Sequence, residues 1–358
     1  MPEGALAADA APRPALRLAV RELGPADAGR WDAFVQACPE ATFFHRAGWA
    51  RVLEEAFGHR PRFLYAERGG RIEGVLPLAE VRSLLMGHAL ISSPFCVYGG
   101  VAAASEEARR ALLEAAAALA RERGVDYLEL RHLERRCPGW PCQDRLYVTF
   151  RKALDPDPER NLLAVPRKQR AMIRKGIQAG LRAEPEEGVD TLHRVYARSV
   201  RRLGTPVFAR SYFALLREVF GEACEVLVVY EGREPVAAVL SFVFRDEILP
   251  YYGGGTERAR QVKGNDFMYW EVMRRAAARG LRRFDYGRSK VGTGSYAFKK
   301  NWGFVPEPLH YEYRLVKARR VPEVNPLNPR YRLFVETWKR LPLPLTLWLG
   351  PRLIRHLG

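Results

Sequence analysis

Hydrophobic and polar positions follow the same order twice along the chain. A Phe-x-Arg motif at positions 44 and 208 opens a stretch with helical spacing, which closes on Phe-Gly at positions 57 and 220. Each stretch is followed by two alternating hydrophobic runs around a glycine-containing turn. This pattern predicts one helix and a pair of antiparallel strands in each copy.

The two copies continue in parallel after the strand pairs. Both contain Tyr-Gly-Gly, at positions 98 and 252, followed by an Ala- and Arg-rich helix ending in Arg-Gly and by a final strand. The offset of about 160 residues is far longer than the roughly 20–50 residues of a solenoid repeat. The sequence therefore predicts a duplicated domain.

The alternation of strands and helices predicts an α/β (α+β) fold with two tandem domains, each a mixed sheet flanked by helices. We expect an N-terminal domain over residues 16–153 and a C-terminal domain over residues 160–316. The segment LDPDP at 154–158 breaks regular structure between them. Residues 1–15 are rich in Ala and Pro and predict a disordered lead, not a signal peptide. Residues 317–358 form a basic, apolar tail.

The tail allows two interpretations. After the motif NPLNP come YRLFVETWKR and LPLPLTLWLGPRLIRHLG, in which Trp and Leu are flanked by basic residues. The tail can pack across both domains, which we expect, or lie in a membrane interface. Pro342, Pro344 and Pro351 exclude one long helix.

Composition limits the cellular context. The chain has 58 basic and 41 acidic residues, a net charge of +17, which implies affinity for polyanions such as nucleic acid, phosphorylated substrates or an anionic membrane face. An Arg-rich composition spread over solvated surfaces explains the total charge equally well. No stretch reaches the roughly 18 apolar residues of a spanning helix. We expect a cytoplasmic protein, with peripheral contact at the inner membrane as a further option.

Cysteine and histidine positions give no metal-site pattern. Cys137 and Cys142 flank PGWP and can form a disulfide or a metal pair, but two reduced thiols are the simpler expectation. The seven histidines are scattered without metal-ligand spacing. We assign no metal.

The densest candidate for chemistry is DYGRSKVGTGSYAFKKNWGF, which begins at Asp285 and has no counterpart in the first copy. Arg288, Ser289 and Lys290 leave the end of a predicted strand, where ligands of α/β sheets bind. A basic surface loop with buried aromatic residues is the alternative, and we favour function for the block as a whole.

The same block contains a pair of lysines that can stabilise negative charge. Lys299 and Lys300 can stabilise an acyl-transfer intermediate or a phosphate, and we expect Lys299 to be the stabiliser. We place both in an extended segment, so that they point to opposite sides. No general base is obvious. Asp285 and Tyr251 are candidates, and a structural role explains each of them as well.

The second candidate is a basic helix, PRKQRAMIRKGIQAGLRAE. Its spacing places Arg167, Arg170 and Arg174 on one face and Lys168 near another. Such a face suits a diphosphate or an RNA backbone. A solvated helix is the alternative.

A third candidate follows the second Tyr-Gly-Gly motif, at Tyr252. Asn265 or Asp266 can cap the next helix, whose N-terminus is an anion site. The spacing Gln261-x-x-Gly264 matches half of an acetyl-CoA pyrophosphate loop. Helix capping alone also explains it.

The duplicated module, the strand end FDYGRS and the block SYAFKKNWGF resemble the FemAB-like branch of the GNAT acyltransferase superfamily, with its BioF2-like acetyltransferase domain. The resemblance extends from Leu16 to about Tyr313. ISSPFCVYGG (Ile91–Gly100) and the tail are similar to FemAB-related proteins associated with PEP-CTERM/exosortase and exopolysaccharide systems. The resemblance implies two GNAT-like domains with a cleft between them or within the second.

The resemblance also implies a function. Fem-type transferases move an aminoacyl group from aminoacyl-tRNA to the amine of a cell-wall precursor, and the wider family includes acyl-CoA-dependent members. Their Phe-Lys pair matches Phe298-Lys299, which implies that this lysine stabilises the oxyanion. We therefore expect an acyl- or aminoacyl-transferase with no tightly bound cofactor, acting on an amine or hydroxyl of a cell-envelope or exopolysaccharide-related acceptor.

Two departures leave the donor open between acyl-CoA and aminoacyl-tRNA. No coiled-coil arm is visible, and Asn265-Asp266 follow Gly264 where the acetyl-CoA loop has Gly or Ala. Expected partners are a small-molecule or envelope-precursor substrate and, as an option, tRNA. One alternative is an inactive double-GNAT module that binds an anionic glycan or lipid carrier. Another is an RNA-binding protein, against which stands the lack of a stacking-rich RNA motif.

Overall fold

The computed structural model describes residues 17–83, 87–322 and 329–356. The predicted lead at 1–15 and most of the NPLNP motif lie outside these residues. The strands are β1 (Ala19–Glu22), β2 (Arg60–Arg68), β3 (Arg71–Ser83), β4 (Gly87–Ser92), β5 (Ala102–Ala103), β6 (Tyr127–His132), β7 (Cys142–Gln143), β8 (Tyr147–Ala153), β9 (Arg182–Glu186), β10 (Cys224–Glu231), β11 (Glu234–Phe244), β12 (Glu247–Gly255), β13 (Arg283–Asp285), β14 (Ser289–Lys290), β15 (Pro306–Pro308) and β16 (His310–Leu315).

The helices surround these strands. They are α1 (Ala28–Ala37), α2 (Gly48–Phe57), α3 (Glu106–Glu122), α4 (Pro158–Ala164), α5 (Arg167–Gln178), α6 (Asp190–Leu203), α7 (Arg210–Phe220), α8 (Glu257–Val262), α9 (Gly264–Ala278), α10 (Gly294–Asn301), α11 (Pro329–Arg340) and α12 (Leu343–Ile354). Short 3-10 turns lie at Pro25–Asp27, Phe43–His45 and Gly221–Ala223.

The strands form two mixed sheets of the same design. The first has the order β1-β2-β3-β4-β6-β16-β7, with β5 beside β3, and the second has β9-β10-β11-β12-β13-β8-β14, with β15 beside β8. Each sheet contains one parallel pair, β4 with β6 and β12 with β13. Both sheets carry helices in equivalent places. The predicted fold class of two tandem units with mixed, helix-flanked sheets is confirmed.

The two copies contact each other through equivalent helices. α2 and α7 end at glycines with positive φ, Gly58 at 70° shortly before β2 and Gly221 at 54° at the start of the 3-10 turn before β10. A side chain on Gly48 of α2 would lie 2.6 Å from Val219 of α7, so glycine permits the close approach. Aromatic rings from both halves stack across this contact and form one shared core.

The last strand of each copy lies in the sheet of the other copy. β8, which ends the first half, pairs antiparallel with β13, and β16, which ends the second half, pairs antiparallel with β6 over six residue pairs. The predicted boundary after residue 153 follows β8 in the chain, but each sheet contains strands from both sides of this boundary.

The tail packs on both halves. α11 and α12 are separated at Leu341–Pro342, and Arg201 of α6 donates to the Leu341 carbonyl at 2.6 Å. At the far end, Ser83 of β3 donates to the His356 carbonyl at 2.7 Å. Pro344 lies in the first turn of α12, whereas Pro351 is accommodated inside it. Among the described helices, none is long and apolar enough to cross a bilayer.

The strand exchange predicts that the halves cannot fold alone. Each of two fragments, residues 1–157 and 158–358, would lack the strand that completes its sheet and would expose an unpaired sheet edge. We expect neither fragment to show a cooperative thermal transition by circular dichroism, whereas co-expression should yield a one-to-one complex that does. Cooperative unfolding of either isolated fragment would contradict the exchange.

Candidate active site

A gap opens between two strands of the second sheet. β12 and β13 pair only at Glu247 with Arg283 and at Ile248 with Phe284. Three residues further along β12, Tyr251 is an extra residue in the register with β11, which makes it a β-bulge. Within the described ranges, β12 and β13 share no further pairs. Beyond these two pairs of described residues, the facing main-chain groups of β12 and β13 are not bonded to each other.

The equivalent gap of the first sheet is filled by its own chain. β4 and β5 occupy the place of the continuous β12, but the segment 93–101 leaves the sheet between them. In this segment Gly99 and Gly100 donate their N–H groups to the Arg131 carbonyl at 3.2 and 2.8 Å. A side chain on Gly100 would lie 2.0 Å from the His132 ring, so only glycine fits. The open gap thus belongs to the second copy.

The lysine pair lies on a helix, so the expectation of an extended segment is wrong. Thr293 caps α10 by accepting a hydrogen bond from the Tyr296 N–H at 3.4 Å, and Gly303, with φ of 80°, follows its last turn. Successive residues of a helix are separated by about 100° around its axis. Lys299 consequently points inward and is buried, whereas Lys300 is exposed.

Lys299 lies beside the gap. Its Nζ donates to the Gly287 and Arg288 carbonyls at 2.9 and 3.1 Å, just beyond the end of β13. The rings of Phe150 and Tyr286 lie 5.6 and 5.7 Å from the ammonium. Burial lowers the pKa of Lys299 to about 7. A lysine ammonium has three N–H donors, so one remains for a ligand oxygen.

Phe298 precedes Lys299 on α10, and its side chain packs on the core. Its ring packs with Tyr269 and Trp302 in the core beneath the second sheet, at centroid distances of 5.8 and 6.1 Å. The rings next to the Lys299 ammonium are those of Phe150 and Tyr286. The exposed Lys300 lies with its Nζ 5.6 Å from the ring of Tyr296.

The two candidate bases lie on the side of the sheet that faces the first copy. Asp285 accepts hydrogen bonds from the Tyr98 and Thr149 hydroxyls at 2.6 and 3.1 Å and from the Gly287 N–H at 2.6 Å. Burial raises its pKa. The Tyr251 hydroxyl donates to the Phe95 carbonyl at 3.0 Å. Both side chains therefore bind groups of the first half, among them the gap-filling segment.

A carboxyl group that the sequence analysis did not single out lies near Asp285. Glu247 lines a cavity of about 320 Å³ between the halves, together with Asp285, Arg151 and Arg283. Burial, reinforced by the nearby Asp285, raises the pKa of Glu247 to about 8. The sequence does not mark this residue, because acidic residues are common next to hairpin turns. In the structure the Glu247 side chain is only 15% exposed, and the Arg283 guanidinium lies 3.8 Å from it.

The predicted substrate-binding residues after β13 lie at the interface between the halves. The Arg288 guanidinium lies 4.8 Å from the centre of the Tyr147 ring and donates to the Tyr311 hydroxyl at 2.9 Å. Ser289 is buried, and its hydroxyl has no partner among the described residues. Lys290 ends β14 opposite Tyr147. The structure thus brings these three residues together with Lys299 at the end of β13.

The basic helix α5 lies beside the same region. Gly303, which follows α10, would place a side chain 3.0 Å from Pro166, and Gln169 of α5 hydrogen-bonds Asp266 of α9. The basic residues of α5 that we singled out form no ion pair with the described part of the chain; they are Arg167, Lys168, Arg170 and Arg174. Their charges are therefore available to an external anion.

The third candidate segment is only partly as expected. Tyr252 is buried, with its hydroxyl 2.7 Å from that of Tyr212, in the core of the second half. Asn265 and Asp266 do not cap α9. Lys263, with φ of 61°, occupies the cap position because α8 leads directly into α9, and Asp266 bonds Gln169 instead. The Asn265 amide oxygen is buried without a partner among the described residues.

Two groups of side chains have the chemistry of metal ligands. His132, Cys137 and Glu312 lie together. However, His132 Nε2 already accepts from the Val101 N–H at 2.9 Å, and Glu312 accepts from the Cys137 N–H at 2.8 Å. His132 Nδ1 also lies 2.8 Å from a Glu312 carboxylate oxygen, so these two side chains already engage each other. The other group is Cys142, Asp144 and His310, at the edge of the first sheet.

Comparison with known proteins agrees with this geometry. Residues 167–300 match the family model for the acetyltransferase (GNAT) domain, which supports acyltransferase activity. GNAT domains use acyl-CoA donors. No curated protein matches the sequence of this chain.

Several solved structures share the fold. A crystal structure of FemX has a TM-score of 0.65 and 16% identity over 88% of this chain and 100% of its own. A tandem GNAT protein from the clavulanic acid biosynthesis pathway has a TM-score of 0.51 and 16% identity, over 86% of this chain and 100% of its own.

A third similar structure is the C-terminal domain of a putative lysylphosphatidylglycerol synthetase from Agrobacterium fabrum. It has a TM-score of 0.53 and 14% identity, over 80% of this chain and 91% of its own. Together with the domain match, these structures support the resemblance to GNAT acyltransferases and show that the chain shares the fold of FemX.

The raised pKa of Glu247 predicts a pH dependence of stability. Because folding favours its protonated form, its contribution to stability is fully present below about pH 4.5 and is lost as the pH rises to about 8. Glu247→Gln keeps a neutral side chain. We expect urea unfolding at pH 5 to give the variant and the wild type similar free energies of unfolding. At pH 9 the variant should be more stable by at least about 1 kcal/mol, which is less than the free energy that corresponds to a shift of one pKa unit.

The matched control is Glu234→Gln, which removes an exposed carboxylate at the β10–β11 turn. It should leave the pH dependence of unfolding unchanged. A Glu247→Gln variant whose stability follows the wild type at every pH would show that this carboxyl group titrates normally.

Proposed function

We propose that the protein is a FemAB-like acyl- or aminoacyl-transferase. It moves an acyl group from an activated donor to an amine or hydroxyl of a cell-envelope or exopolysaccharide-related acceptor. The observation that carries the proposal is the asymmetry of the two gaps. The pairing of β12 with β13 ends after two residue pairs, and Lys299 bonds the main chain just beyond β13, whereas the first copy bonds its segment 93–101 to the end of β6.

The chemistry follows from what borders the gap. The donor carbonyl lies in the gap, and the free N–H of the Lys299 ammonium donates to the oxyanion that forms when the acceptor attacks. The new bond joins the acceptor nitrogen or oxygen to the acyl carbon. The bond to the thioester sulfur or ester oxygen breaks, and the acceptor's proton leaves with that group.

We assign Asp285 and Tyr251 to positioning. Both already hold hydrogen bonds with the first half, so they fix the distance between the gap and the gap-filling segment. Lys299 is the catalytic residue, and Phe298 supports α10 from the core side.

The donor carries phosphate groups. The α5 cations, which form no ion pair with the described residues, lie on the helix that contacts the first turn of α9 through Gln169. The match to a GNAT domain over residues 167–300 favours acyl-CoA. Aminoacyl-tRNA is the second choice. The phosphate backbone of tRNA would suit the basic face of α5, but the sequence shows no coiled-coil arm to bind the tRNA.

The biological setting rests on sequence resemblance and on the tail. ISSPFCVYGG and the tail sequence support an association with a PEP-CTERM/exosortase system. On the outer side of α12, Trp348 is 57% exposed and Leu345 38% exposed, and the Arg352 guanidinium lies 4.4 Å from the Trp348 ring. This combination suits a peripheral contact with an anionic inner membrane surface.

Substitution of the buried lysine tests the mechanism. Lys299→Met should lower the rate of acyl transfer by roughly a hundredfold or more, the effect of losing one oxyanion donor. The assay is release of free CoA from a panel of acyl-CoA donors in the presence of candidate amine acceptors. Thermal unfolding should show that the variant remains folded.

Lys300→Met is the matched control, because the neighbouring side chain is exposed on the same helix. It should retain most of the activity. Equal, mild effects of the two substitutions would remove Lys299 from the mechanism. A wild-type protein that consumes neither acyl-CoA nor aminoacyl-tRNA donors would favour the inactive glycan- or lipid-carrier-binding module instead.

Charge reversal on α5 tests donor binding. Arg170→Glu combined with Arg174→Glu should weaken donor binding and reduce its dependence on salt, because each lost phosphate contact removes released counterions. The measurement is the dissociation constant of acyl-CoA between about 50 and 200 mM salt. Unchanged affinity and an unchanged salt slope would show that α5 is a solvated surface.

A further inference from the structure

Two cations after β13 lack a counter-charge. Arg288 and Lys290 are two residues apart in an extended segment, so their side chains lie on the same face of the sheet. Among the described residues, no carboxylate lies within ion-pair distance of either side chain. The Lys290 ammonium is buried and has no hydrogen-bond partner in the described part of the chain.

The nearby acidic groups are already engaged. Glu129 pairs with Arg131 at 2.7 Å, and Asp285 accepts hydrogen bonds from Tyr98 and Thr149. Burying a charge without a partner is costly, and a protein usually avoids it by pairing or by loss of the charge. Burial accordingly lowers the pKa of Lys290. An anionic ligand would supply the missing partner.

Aromatic rings hold the Arg288 guanidinium in place. It lies 4.8 Å from the centre of the Tyr147 ring and 5.9 Å from that of Tyr311. A guanidinium has five N–H donors, and the single bond to the Tyr311 hydroxyl uses one of them. The fixed plane suits bidentate binding of a carboxylate or a phosphate. The unpartnered Ser289 hydroxyl lies between the two cations in sequence.

The side of the sheet distinguishes this pair from the donor-binding residues. Arg288 contacts Tyr147 and Tyr311 on the face towards the first half, whereas the Lys299 ammonium lies near the rings of Phe150 and Tyr286 on the other face. The α5 cations also belong to that other side, through the contact of α5 with α9. Arg288 and Lys290 therefore face the first half of the molecule, opposite to the face that carries Lys299.

We propose that Arg288 and Lys290 bind a negatively charged group, a carboxylate or a phosphate, of the acceptor substrate. The assignment of this group to an acceptor rests on the proposed function, but anion binding at these two side chains does not. The site makes the acceptor an anionic molecule whose charge is held at the interface between the halves, in the segment whose main chain the Lys299 ammonium bonds.

The test measures anion binding without an activity assay. Thermal unfolding of the full chain is followed with increasing inorganic phosphate or acetate, with sodium chloride added to keep the ionic strength constant. We expect at least one of the two anions to raise the wild-type melting temperature in a saturable manner. The stronger of the two identifies the group as phosphate or carboxylate.

Two variants should lose this response. Arg288→Gln and Lys290→Gln should each weaken the apparent affinity for the anion at least tenfold. Lys290→Gln should also raise the melting temperature in chloride alone, because it removes a buried charge without a partner. The matched control is Arg233→Gln, an exposed arginine at the β10–β11 turn, which should respond as the wild type does.

Each outcome decides one claim. Equal anion responses in the wild type, both site variants and the control, or no response to either anion, would overturn the site. If the wild type binds the anion through these residues but transfers no acyl group from any donor, the site stands and the proposed function fails. If transfer occurs and Arg288→Gln leaves the KM for every anionic acceptor unchanged, the assignment to the acceptor is wrong.

Discussion

The exchange of one strand between two duplicated halves is the constraint on which the rest of this structure depends. β8 lies in the second sheet and β16 in the first, so each half completes its hydrogen-bonded ladder with a strand of the other. The exchange fixes the two sheets against each other by main-chain bonds, which tolerate little sliding because a shift of one residue would turn every side chain to the opposite face. It also carries Thr149 and Arg151 to Asp285 of the other half.

One backbone topology produces opposite results in the two halves. Where the first copy leaves its sheet for nine residues and fills the gap, the second copy has a single bulged residue, Tyr251, and the gap stays open. The filling segment also supports the other half, since its Tyr98 hydroxyl bonds Asp285 and its Phe95 carbonyl accepts from Tyr251. The first copy therefore borders the gap of the second copy.

Burial sets the charge states around this gap. Lys299 has its pKa lowered to about 7 and Glu247 has its pKa raised to about 8, both chiefly because burial disfavours the charged form. Acyl transfer places negative charge where such a lysine can donate to it. The same low polarity makes the unpaired Arg288 and Lys290 receptive to an anion. Burying such ionisable groups costs desolvation free energy, so stability alone does not explain their positions.

The sequence by itself determined the elements and their order. Periodicity and the repeated Phe-x-Arg and Tyr-Gly-Gly motifs predict two equivalent mixed sheets, and composition marks Lys299 and α5, because these signals are local. Only the tertiary structure decided which strand completes which sheet, since β8 and β16 pair with residues more than 100 positions away. It also showed that Lys299 lies on a helix capped by Thr293, and that Glu247 is buried beside Asp285. Burial and charge pairing depend on neighbours distant in the chain, which a local pattern does not specify.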